Sequence, residues 1–397
     1  MPTVDISNYS GREQAFVKHR LLENYLSRWA YIVGNTWDSL VYVAGFAGPW
    51  GAQDEEFRDA SFGIATNVLK TAVDGLLEKT KKSVKGLCVF VEKDTNAFDK
   101  LFAFANKCST NEVQAIALKG EFVENIPEIE KRIRSTGANP FKFVFLDQKG
   151  WAETPMKDLK PFLQERSCEV LFNLMTSHLT RFVNLEGTKS SYESLFGRTG
   201  VREKIASAPS DLRGDVTVKE YCVSLRKVCG FKYVSQAVIM DPNKEKVRYY
   251  LIFATNSPRG IEVFKEAEST AANIQDEVRH QIRLEQEIKK TGQNFLFDLE
   301  ASKSKRVSQL WIRYSADARK RIIELLRESK TERVSYTELF CEAMSFPLVT
   351  SEDLISWLHE LEPAVKFDLE GSSRRNKPSL WKADFIVLID RTKLPSP

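Results

Sequence analysis

Stretches with the composition of buried strands alternate with amphipathic helical stretches along the first part of this sequence. The strand-like stretches are apolar on both faces, and they occupy 40–43, 86–94, 113–118, 141–147 and 168–175. Helical spacing of apolar residues covers 13–33, 60–79, 95–107, 123–135 and 157–166. Strands buried on both faces belong to parallel sheets with helices on either side, and such sheets bind ligands beyond the carboxyl ends of their strands.

The end of this alternating region has a different pattern. Residues 233–240 and 247–255 are strand-like runs separated by the turn "DPNKEK", which predicts an antiparallel hairpin. A parallel sheet closed by such a hairpin is the architecture of S-adenosylmethionine (SAM) methyltransferases. We therefore predict a Rossmann-like domain of methyltransferase type over residues 1–300, with an insertion of short helices at about 185–230 that lies over the site.

The remaining residues, 301–397, have the pattern of a separate winged helix-turn-helix domain. Three helical stretches, at 315–329, 335–344 and 350–362, precede two alternating strand-like runs around the loop "GSSRRNKPS". The second helix is predicted to begin with a capping box, because a serine at 335 is followed three residues later by a glutamate.

The tip of the predicted wing carries Arg374, Arg375 and Lys377. A winged module can place such cations on nucleic-acid phosphates, in contacts that weaken as the salt concentration rises. Winged modules also mediate contacts between proteins, so the sequence leaves a nucleic-acid partner and a protein partner open. The net charge of +4 is compatible with either partner.

Composition disfavours several other classes of protein. The six cysteines include no CxxC pair, which indicates reduced packing residues and not a disulfide framework or a zinc site. No apolar run approaches the roughly 20 residues that a membrane-spanning helix needs, and the first residues lack the pattern of a secretory signal. We accordingly expect a cytoplasmic protein with no membrane partner and no metal.

A glycine-rich turn follows the first predicted strand and contains Gly45, Gly48 and Gly51. A bend without side chains between a strand and a helix can expose backbone amides to a ligand. The spacing is GxxGxxG and not the GxGxxG of dinucleotide-binding proteins, so NAD is disfavoured. The alternative is a surface turn whose glycines supply positive φ angles.

Two acidic residues near the next strand ends are candidates for holding a nucleoside. Glu92 ends the second strand, where an acid in a nucleoside-binding sheet accepts hydrogen bonds from both ribose hydroxyls. Glu121 follows the third strand and could reach an adenine or ribose edge. A solvated strand-end carboxylate at Glu92 and a plain loop acid at Glu121 are the alternatives.

Asp147 ends the fourth apolar strand, where methyltransferases keep the polar group that meets the acceptor nucleophile. A carboxylate there could orient an amine or take its proton, or it could cap the next turn. Asn173 and His178 follow the next strand, and His178 is either a general base or a structural histidine. Lys18 and His19, in the first helix, carry the same ambiguity.

Longer segments resemble the three-Cys-motif partner proteins (the TcmP family), which are found beside a radical-SAM-like partner that carries three cysteines. The segment "KHRLLENYLSRW" at 18–29 resembles the family's opening Lys-His…Leu…Tyr-Leu…Trp, and "YVAGFAGPWG" resembles its Tyr-Ile-Asp-Gly-Phe-Ala-Gly-Pro-Gly. "FVFLDQKGW" is similar to its Phe-Asp-Pro-Phe-Gly-Trp, and "YYLIFATNSPRGIEVFKEA" to its closing hairpin and helix. The resemblance covers most of the chain and implies a SAM-methyltransferase-like fold, without an established reaction, together with a three-Cys-motif partner.

This sequence departs from the family pattern at two places. Ala44 stands where the family has Asp, and Gln148–Lys149 stand where it has Pro-Phe. The first change removes a charge that would hold the cofactor's ammonium group, and a charged hydrogen bond of this kind is worth about 1.5–3 kcal/mol, or roughly one to two decades of affinity. The second change softens the turn after Asp147 that would present a carbonyl group to the acceptor amine.

Two functions of different classes follow from these observations. In the first, the protein is a SAM-dependent methyltransferase acting on nucleic acid, with the cofactor at Gly45, Gly48, Gly51, Glu92 and Glu121, the transfer point at Asp147, and phosphates on the wing. In the second, the fold is retained without catalysis, and the chain binds DNA or a three-Cys-motif partner protein.

Overall fold

The computed structural model describes residues 5–49, 51–137, 139–148, 154–291, 305–371 and 377–395. The chain forms two compact units. The first comprises Met1–Val234 and Ile239–Asn256, and the second comprises Ser235–Val238 and Ser257–Pro397. The long helix after residue 257, which we assigned to the first domain, therefore lies in the second unit, while the predicted domain boundary at 300 stays a prediction.

A seven-stranded sheet organises the first unit. Its strands are β1 Ser39–Gly45, β2 Lys85–Glu92, β3 Val113–Lys119, β4 Pro140–Leu146, β5 Cys168–Leu174, β6 Tyr233–Met240 and β7 Val247–Thr255. Their order is β3-β2-β1-β4-β5-β7-β6, with parallel pairing from β3 through β5 and antiparallel pairing of β7 with β5. The predicted mostly parallel, Rossmann-like sheet of methyltransferase type with a closing hairpin is confirmed.

Helices connect the strands of this sheet. They are α1 Glu13–Gly34, α2 Ser61–Thr80, α3 Thr95–Cys108, α4 Phe122–Ser135, α5 Met156–Leu163, α6 Thr176–Phe182, α7 Lys189–Phe196, α8 Val201–Ser207 and α9 Arg213–Lys227. The last three fall in the predicted insertion. Strand β1 lies at the centre of the sheet, next to β4. All seven of its residues are buried, as expected for a strand covered on both faces.

The strand order reverses between β1 and β4, and this reversal fixes where a ligand can bind. β2 and β3 lie on one side of β1, whereas β4 and β5 lie on the other. The loops that leave β1 and β4 therefore diverge and open a crevice at the carboxyl ends of the two strands.

Helix α1 carries a polar residue to this crevice because of how it packs. Lys18, Tyr25 and Trp29 are spaced by seven and four residues and so share one face of the helix. The rings of Tyr25 and Trp29 lie 5.4 and 5.8 Å from the ring of Phe143, in the middle of β4. Lys18, two turns nearer the helix start, then lies beside Asp147 at the end of β4.

The second unit contains four α-helices, a short 3-10 helix at Arg391–Lys393 and a small antiparallel sheet among the residues described there. The helices are α10 Pro258–Thr291, α11 Lys305–Glu328, α12 Tyr336–Ala343 and α13 Ser351–Glu360, and the strands are β8 Arg333–Ser335, β9 Val365–Asp368 and β10 Phe385–Leu388. The strand order is β8-β10-β9. We predicted two strands here; the third, β8, is only three residues long and too short for a periodic signal.

The capping box that we predicted at Ser335 is not formed. Ser335 precedes α12 but makes no side-chain capping bond, and it is the last residue of β8, paired with Phe385. The complete capping box stands at the next helix, where Thr350 and Asp353 each bond the other's backbone N–H.

Candidate functional site

A cavity of about 220 Å³ lies in the crevice at the carboxyl ends of β1, β4 and β5. The glycine turn after β1, the start of α2, one face of α1 and the start of β7 complete its walls. Its lining residues are Arg12, Gln14, Ala15, Lys18, His19, Phe46, Gly48, Pro49, Ala52, Asp59, Ala60, Ser61, Asp147, Gln148, Asn173, Met175, Arg248 and Tyr249. The cavity therefore occupies the place where sheets of this topology bind ligands.

The centre of the cavity is a three-residue polar cluster around Asp147. Lys18 forms an ion pair with one carboxylate oxygen, and Asn173 Nδ2 donates to the other at 2.6 Å. Burial on its own would raise the pKa of Asp147, but the Lys18 charge and the two hydrogen bonds outweigh it and lower that pKa. Asp147 is consequently ionised at neutral pH.

Asn173 leaves one buried acceptor without a partner. Its side-chain amide donates to Asp147, but its Oδ1 is buried and accepts no hydrogen bond in the described structure, and the residue is only 5% exposed. An unsatisfied buried acceptor costs roughly 1–3 kcal/mol, so such atoms are normally paired by water or a ligand. Because Asn173 lines the cavity, an N–H or O–H donor bound there would satisfy it.

A second polar pair connects α1 with the residues that precede it. His19 Nδ1 lies 3.0 Å from the hydroxyl of Tyr9, and both residues are buried. Burial and the neighbouring Lys18 charge lower the pKa of His19 to about 3, so it is neutral at physiological pH. A neutral imidazole held in this way fits the structural alternative for His19.

The wall formed by the loop between β1 and α2 depends on an ion pair that the sequence did not reveal. Asp59 is fully buried, and its carboxylate accepts from Arg12 at 2.9 Å and from the Gln53 N–H at 2.7 Å. Asp59 and Arg12 are 47 residues apart in a region without a recognisable motif. The pair braces the loop against α1.

The three glycines of the turn have different surroundings. Gly48 lines the cavity. A Cβ at Gly45 would lie 2.8 Å from a Leu146 methyl group and 2.9 Å from the Phe122 ring, so close packing explains its missing side chain. Gly51 has φ +70°, and its Cβ would meet the Arg12 side chain at 3.1 Å.

Glu92 and Glu121 lie outside the lining of this cavity. The glycine turn does reach the end of β2, because Ala47 N–H donates to the Val91 carbonyl at 2.9 Å. The Glu92 carboxylate is buried and accepts from the Asp94 N–H at 2.9 Å, and Gly120 N–H bonds the Glu92 carbonyl. Glu121 is half-buried, and its carboxylate lies 3.4 Å from the Lys93 ammonium group. The two acids are thus neighbours at the adjacent strand ends.

The two positions that depart from the family pattern are both buried. Ala44 is 1% exposed, and in the sheet it pairs with Phe90 of β2 and Phe145 of β4. Its side chain carries no charge. Gln148 is 2% exposed, and its side-chain carbonyl accepts from the Thr154 hydroxyl at 2.7 Å. Lys149 lies outside the described residues.

None of the remaining predicted residues that the structure describes lines the cavity. Lys377 is exposed, and Arg374 and Arg375 lie outside the described residues. His178 is exposed on α6 and does not line the cavity. Within the described ranges, no three His, Cys, Asp or Glu side chains are grouped as a metal site would require. No helix in the same ranges is both long and apolar enough to cross a bilayer.

Comparisons with known proteins give distant matches only. No family model matches the sequence, and no curated protein matches it. An O-methyltransferase from Bacillus cereus in complex with SAH matches at a TM-score of 0.29 and 11% identity, over 59% of this chain and 80% of that chain. The O-methyltransferase TomG from Streptomyces achromogenes, in complex with SAM, matches with a TM-score of 0.31 and 11% identity, over 60% of this chain and 80% of that chain. Loganic acid methyltransferase with SAH matches with a TM-score of 0.30 and 10% identity, over 75% of this chain and 94% of that chain. TM-scores this low carry no information about this chain, and its fold class rests on the strand order.

Proposed function

We propose that this chain is a SAM-dependent methyltransferase that acts on an amine of a nucleic acid. The observation that carries the proposal is the Lys18–Asp147–Asn173 cluster with the unpaired Asn173 Oδ1 at the switch point of the sheet. An exocyclic amine offers two N–H donors, one for Asn173 Oδ1 and one for the Asp147 carboxylate. The resemblance to the TcmP family supports the same class of fold.

The residues of the cavity fit one end of SAM and not the whole molecule. Gly48 would admit the methionine end, while Glu92 and Glu121, at the neighbouring strand ends, would hold the ribose and the adenine edge. A cavity of about 220 Å³ is smaller than the roughly 300–1,000 Å³ of typical ligand pockets. Bound SAM would supply the methyl group.

Asp147 would orient the acceptor amine and not take its proton, which would be lost to solvent after the methyl group has been transferred. A general base works best with a pKa near the operating pH, whereas Lys18 and Asn173 lower the pKa of this carboxylate. An ionised carboxylate that already accepts two hydrogen bonds still has lone pairs for a further N–H donor. Lys18 would act as the positioning residue that holds Asp147 in place.

Titration calorimetry with SAM tests this proposal. We expect saturable but weak binding, because Ala44 lacks the carboxylate for the cofactor's ammonium group. Asn173→Ala should weaken binding or abolish methyl transfer, whereas His178→Ala, on an exposed helix outside the cavity, should change neither. Correctly folded protein that shows no binding at millimolar SAM would remove the proposal.

A second function, an interaction protein of methyltransferase fold, is favoured by the buried Ala44 and by the second unit. The element order α11-β8-α12-α13-β9-β10 and the sheet order β8-β10-β9 support a winged helix-turn-helix for residues 301–397. In such a module α13 would face the major groove. Its exposed residues are Glu352, Ser356, His359 and Glu360.

The acidic residues of α13 would repel DNA phosphates. The interaction would therefore be with a protein, such as a three-Cys-motif protein, or with DNA through the wing alone. Replacement of Arg374, Arg375 and Lys377 by Ala in the full chain separates these outcomes. If the wing grips phosphates, the log–log salt slope of DNA binding should fall by roughly 0.9 per lost contact. An unchanged slope would leave the protein partner as the remaining interaction.

A further inference from the structure

A second cavity, of about 530 Å³, lies between α2, α3 and the loop that precedes α2. Its volume falls in the range of roughly 300–1,000 Å³ that is typical of small-molecule sites. It shares no lining residue with the cavity around Asp147. This α2–α3 cleft is therefore a separate candidate site.

Two helix faces form the walls of the α2–α3 cleft. The α2 wall consists of Gly63, Thr66, Asn67 and Lys70, and the α3 wall consists of Lys100, Ala103, Phe104, Lys107 and Cys108. The first four residues of each wall follow the spacing i, i+3, i+4, i+7, which places them on one stripe of their helix. Each stripe contributes lysine to the cleft.

The three lysines form no ion pair in the described structure. Two acids, Glu55 and Glu56, also line the cleft, and Glu56 lies 3.8 Å from Arg58, so the lining side chains carry four cations and two carboxylates. Lys70 is half-buried, and Lys100 and Lys107 are exposed; none of the three forms an ion pair or a hydrogen bond with a described residue. The fourth cation of the cleft, Arg58, already pairs with Asp54 at 2.9 Å. Three unpaired ammonium groups on one cleft provide a site for an anion such as phosphate.

The apolar part of the cleft is aromatic. Phe104 belongs to the α3 stripe, and its ring centroid lies 5.8 Å from that of Phe57, edge-on, and 4.9 Å from that of Phe62. Both Phe57 and Phe104 line the cleft and are half-buried, so part of their surface faces the cavity. Half-exposed rings beside cations form the combination that holds a base and its phosphate.

The loop residue Phe57 is held in an unfavourable backbone conformation. Its φ is +56°, which costs a non-glycine residue about 1–2 kcal/mol. Gly63 permits this conformation, because a Cβ there would lie 2.0 Å from the Phe57 carbonyl oxygen. Backbone strain of this kind concentrates at ligand-binding loops.

We infer that the α2–α3 cleft binds a nucleoside phosphate, with the base on Phe57 and Phe104 and the phosphate on Lys70, Lys100 and Lys107. The ligand is either a free nucleotide or one nucleotide of a single strand, since the recognised chemistry is the same. The inference is independent of the cavity around Asp147.

Fluorescence-detected titration of the full chain with ADP and, separately, with a short oligothymidylate tests the inference. Lys100→Glu/Lys107→Glu should weaken binding at least tenfold. The matched control is Lys219→Glu/Lys227→Glu, two exposed lysines on α9 outside the cleft, which should change binding less than twofold. Binding of ADP alone identifies a free nucleotide, and tighter binding of the oligonucleotide identifies a strand; either result supports the site if the charge reversal weakens it.

Two further variants keep the result specific to this cleft. Phe104→Leu changes the side-chain volume only slightly. It should weaken the binding of ADP but leave the binding of pyrophosphate unaffected, because only ADP carries a base. Asn173→Ala should leave ADP binding unchanged, so that failure at the SAM cavity is distinguished from failure here. Saturable ADP and oligonucleotide binding that survives the charge reversal, or no binding of either at millimolar concentration by a protein with native circular dichroism, would overturn the inference.

Discussion

Replacement of Lys18 by Met tests the central cluster most directly. The substitution keeps the apolar stem of the side chain but removes the ammonium group that forms the ion pair with Asp147. Removal of one partner from a fully buried ion pair costs about 3–5 kcal/mol, while an exposed pair contributes about 0–1 kcal/mol. The side chains of Lys18 and Asp147 are 9% and 23% exposed, so we expect a loss of about 2–3 kcal/mol.

This loss should appear as a lower melting temperature of the first unit. For a domain of this size each kcal/mol corresponds to roughly 2–4 °C, so Lys18→Met should melt about 5–10 °C below the wild type at neutral pH. The double variant Lys18→Met/Asp147→Asn should recover part of the difference, because no buried charge is then left without a partner. Lys219→Met, on an exposed surface, serves as the matched control.

The pH dependence of the same variant provides an independent check. In the wild type the pKa of Asp147 is lowered, so its stabilising contribution is present above the ordinary value of 3.8 and is lost as the pH falls through the lower native pKa. Without Lys18, burial would dominate and raise that pKa, so the folded variant would take up a proton and gain stability as the pH falls. The deficit of Lys18→Met should therefore be larger at about pH 7.5 than at about pH 5. A melting temperature within one degree of wild type, or a deficit that grows in acid, would refute the ion-pair reasoning.

Three further predictions follow from buried groups elsewhere. Burial raises the pKa of Glu169 to about 7. Its contribution to the free energy of unfolding, roughly 3 kcal/mol, is therefore complete below its ordinary pKa of 4.5 and is lost as the pH rises to about 7. Glu169→Gln should flatten the pH dependence of the urea midpoint across this range, and an unchanged pH dependence would contradict the assignment. Gly63→Ala should destabilise strongly, since its Cβ would meet a backbone oxygen at 2.0 Å, whereas Gly214→Ala, with its nearest neighbour at 3.6 Å, should not; equal melting temperatures would be inconsistent with this contact. Thr350→Ala should lower the unfolding free energy of the second unit by about 1 kcal/mol through loss of the α13 capping box, and Thr350→Ser should restore most of it in the same urea titration.

The sheet could be predicted from the sequence because each strand has its own local signal. The hairpin strands are found at Tyr233–Met240 and Val247–Thr255, the bounds that the apolar runs indicated, since polar turn residues end each run sharply. The helix after them begins at Pro258, and a proline is favoured at the first position of a helix because its missing N–H would be unpaired there anyway. The strand β8 was missed because three residues contain too little periodicity.

The candidate site was only partly predictable, for a different reason. A strand-end acid such as Asp147 can be located from sequence, because parallel strands end at one edge of the sheet. Its partner Lys18 is 129 residues away on α1, and only the packing of Tyr25 and Trp29 on β4 brings the two together. Asp59 follows no strand and has no motif, so its pairing with Arg12 could not be inferred.

The charges around the cavity explain why Ala44 matters for the choice between the two proposed functions. Arg12 pairs with Asp59 and Lys18 pairs with Asp147, so both lining carboxylates already have a cation partner. A cofactor ammonium group would therefore meet no carboxylate without a cation partner among the lining residues. A neutral hydrogen bond contributes about 0.5–1.5 kcal/mol, whereas a charged one contributes about 1.5–3 kcal/mol. The substitution Ala44→Asp would introduce a carboxylate at a strand position paired with Phe90 and Phe145, where without ligand it would be buried and unpaired. An uncharged side chain at position 44 therefore avoids a buried unpaired carboxylate in the ligand-free protein, and the weak SAM binding that we expect follows from the same residue.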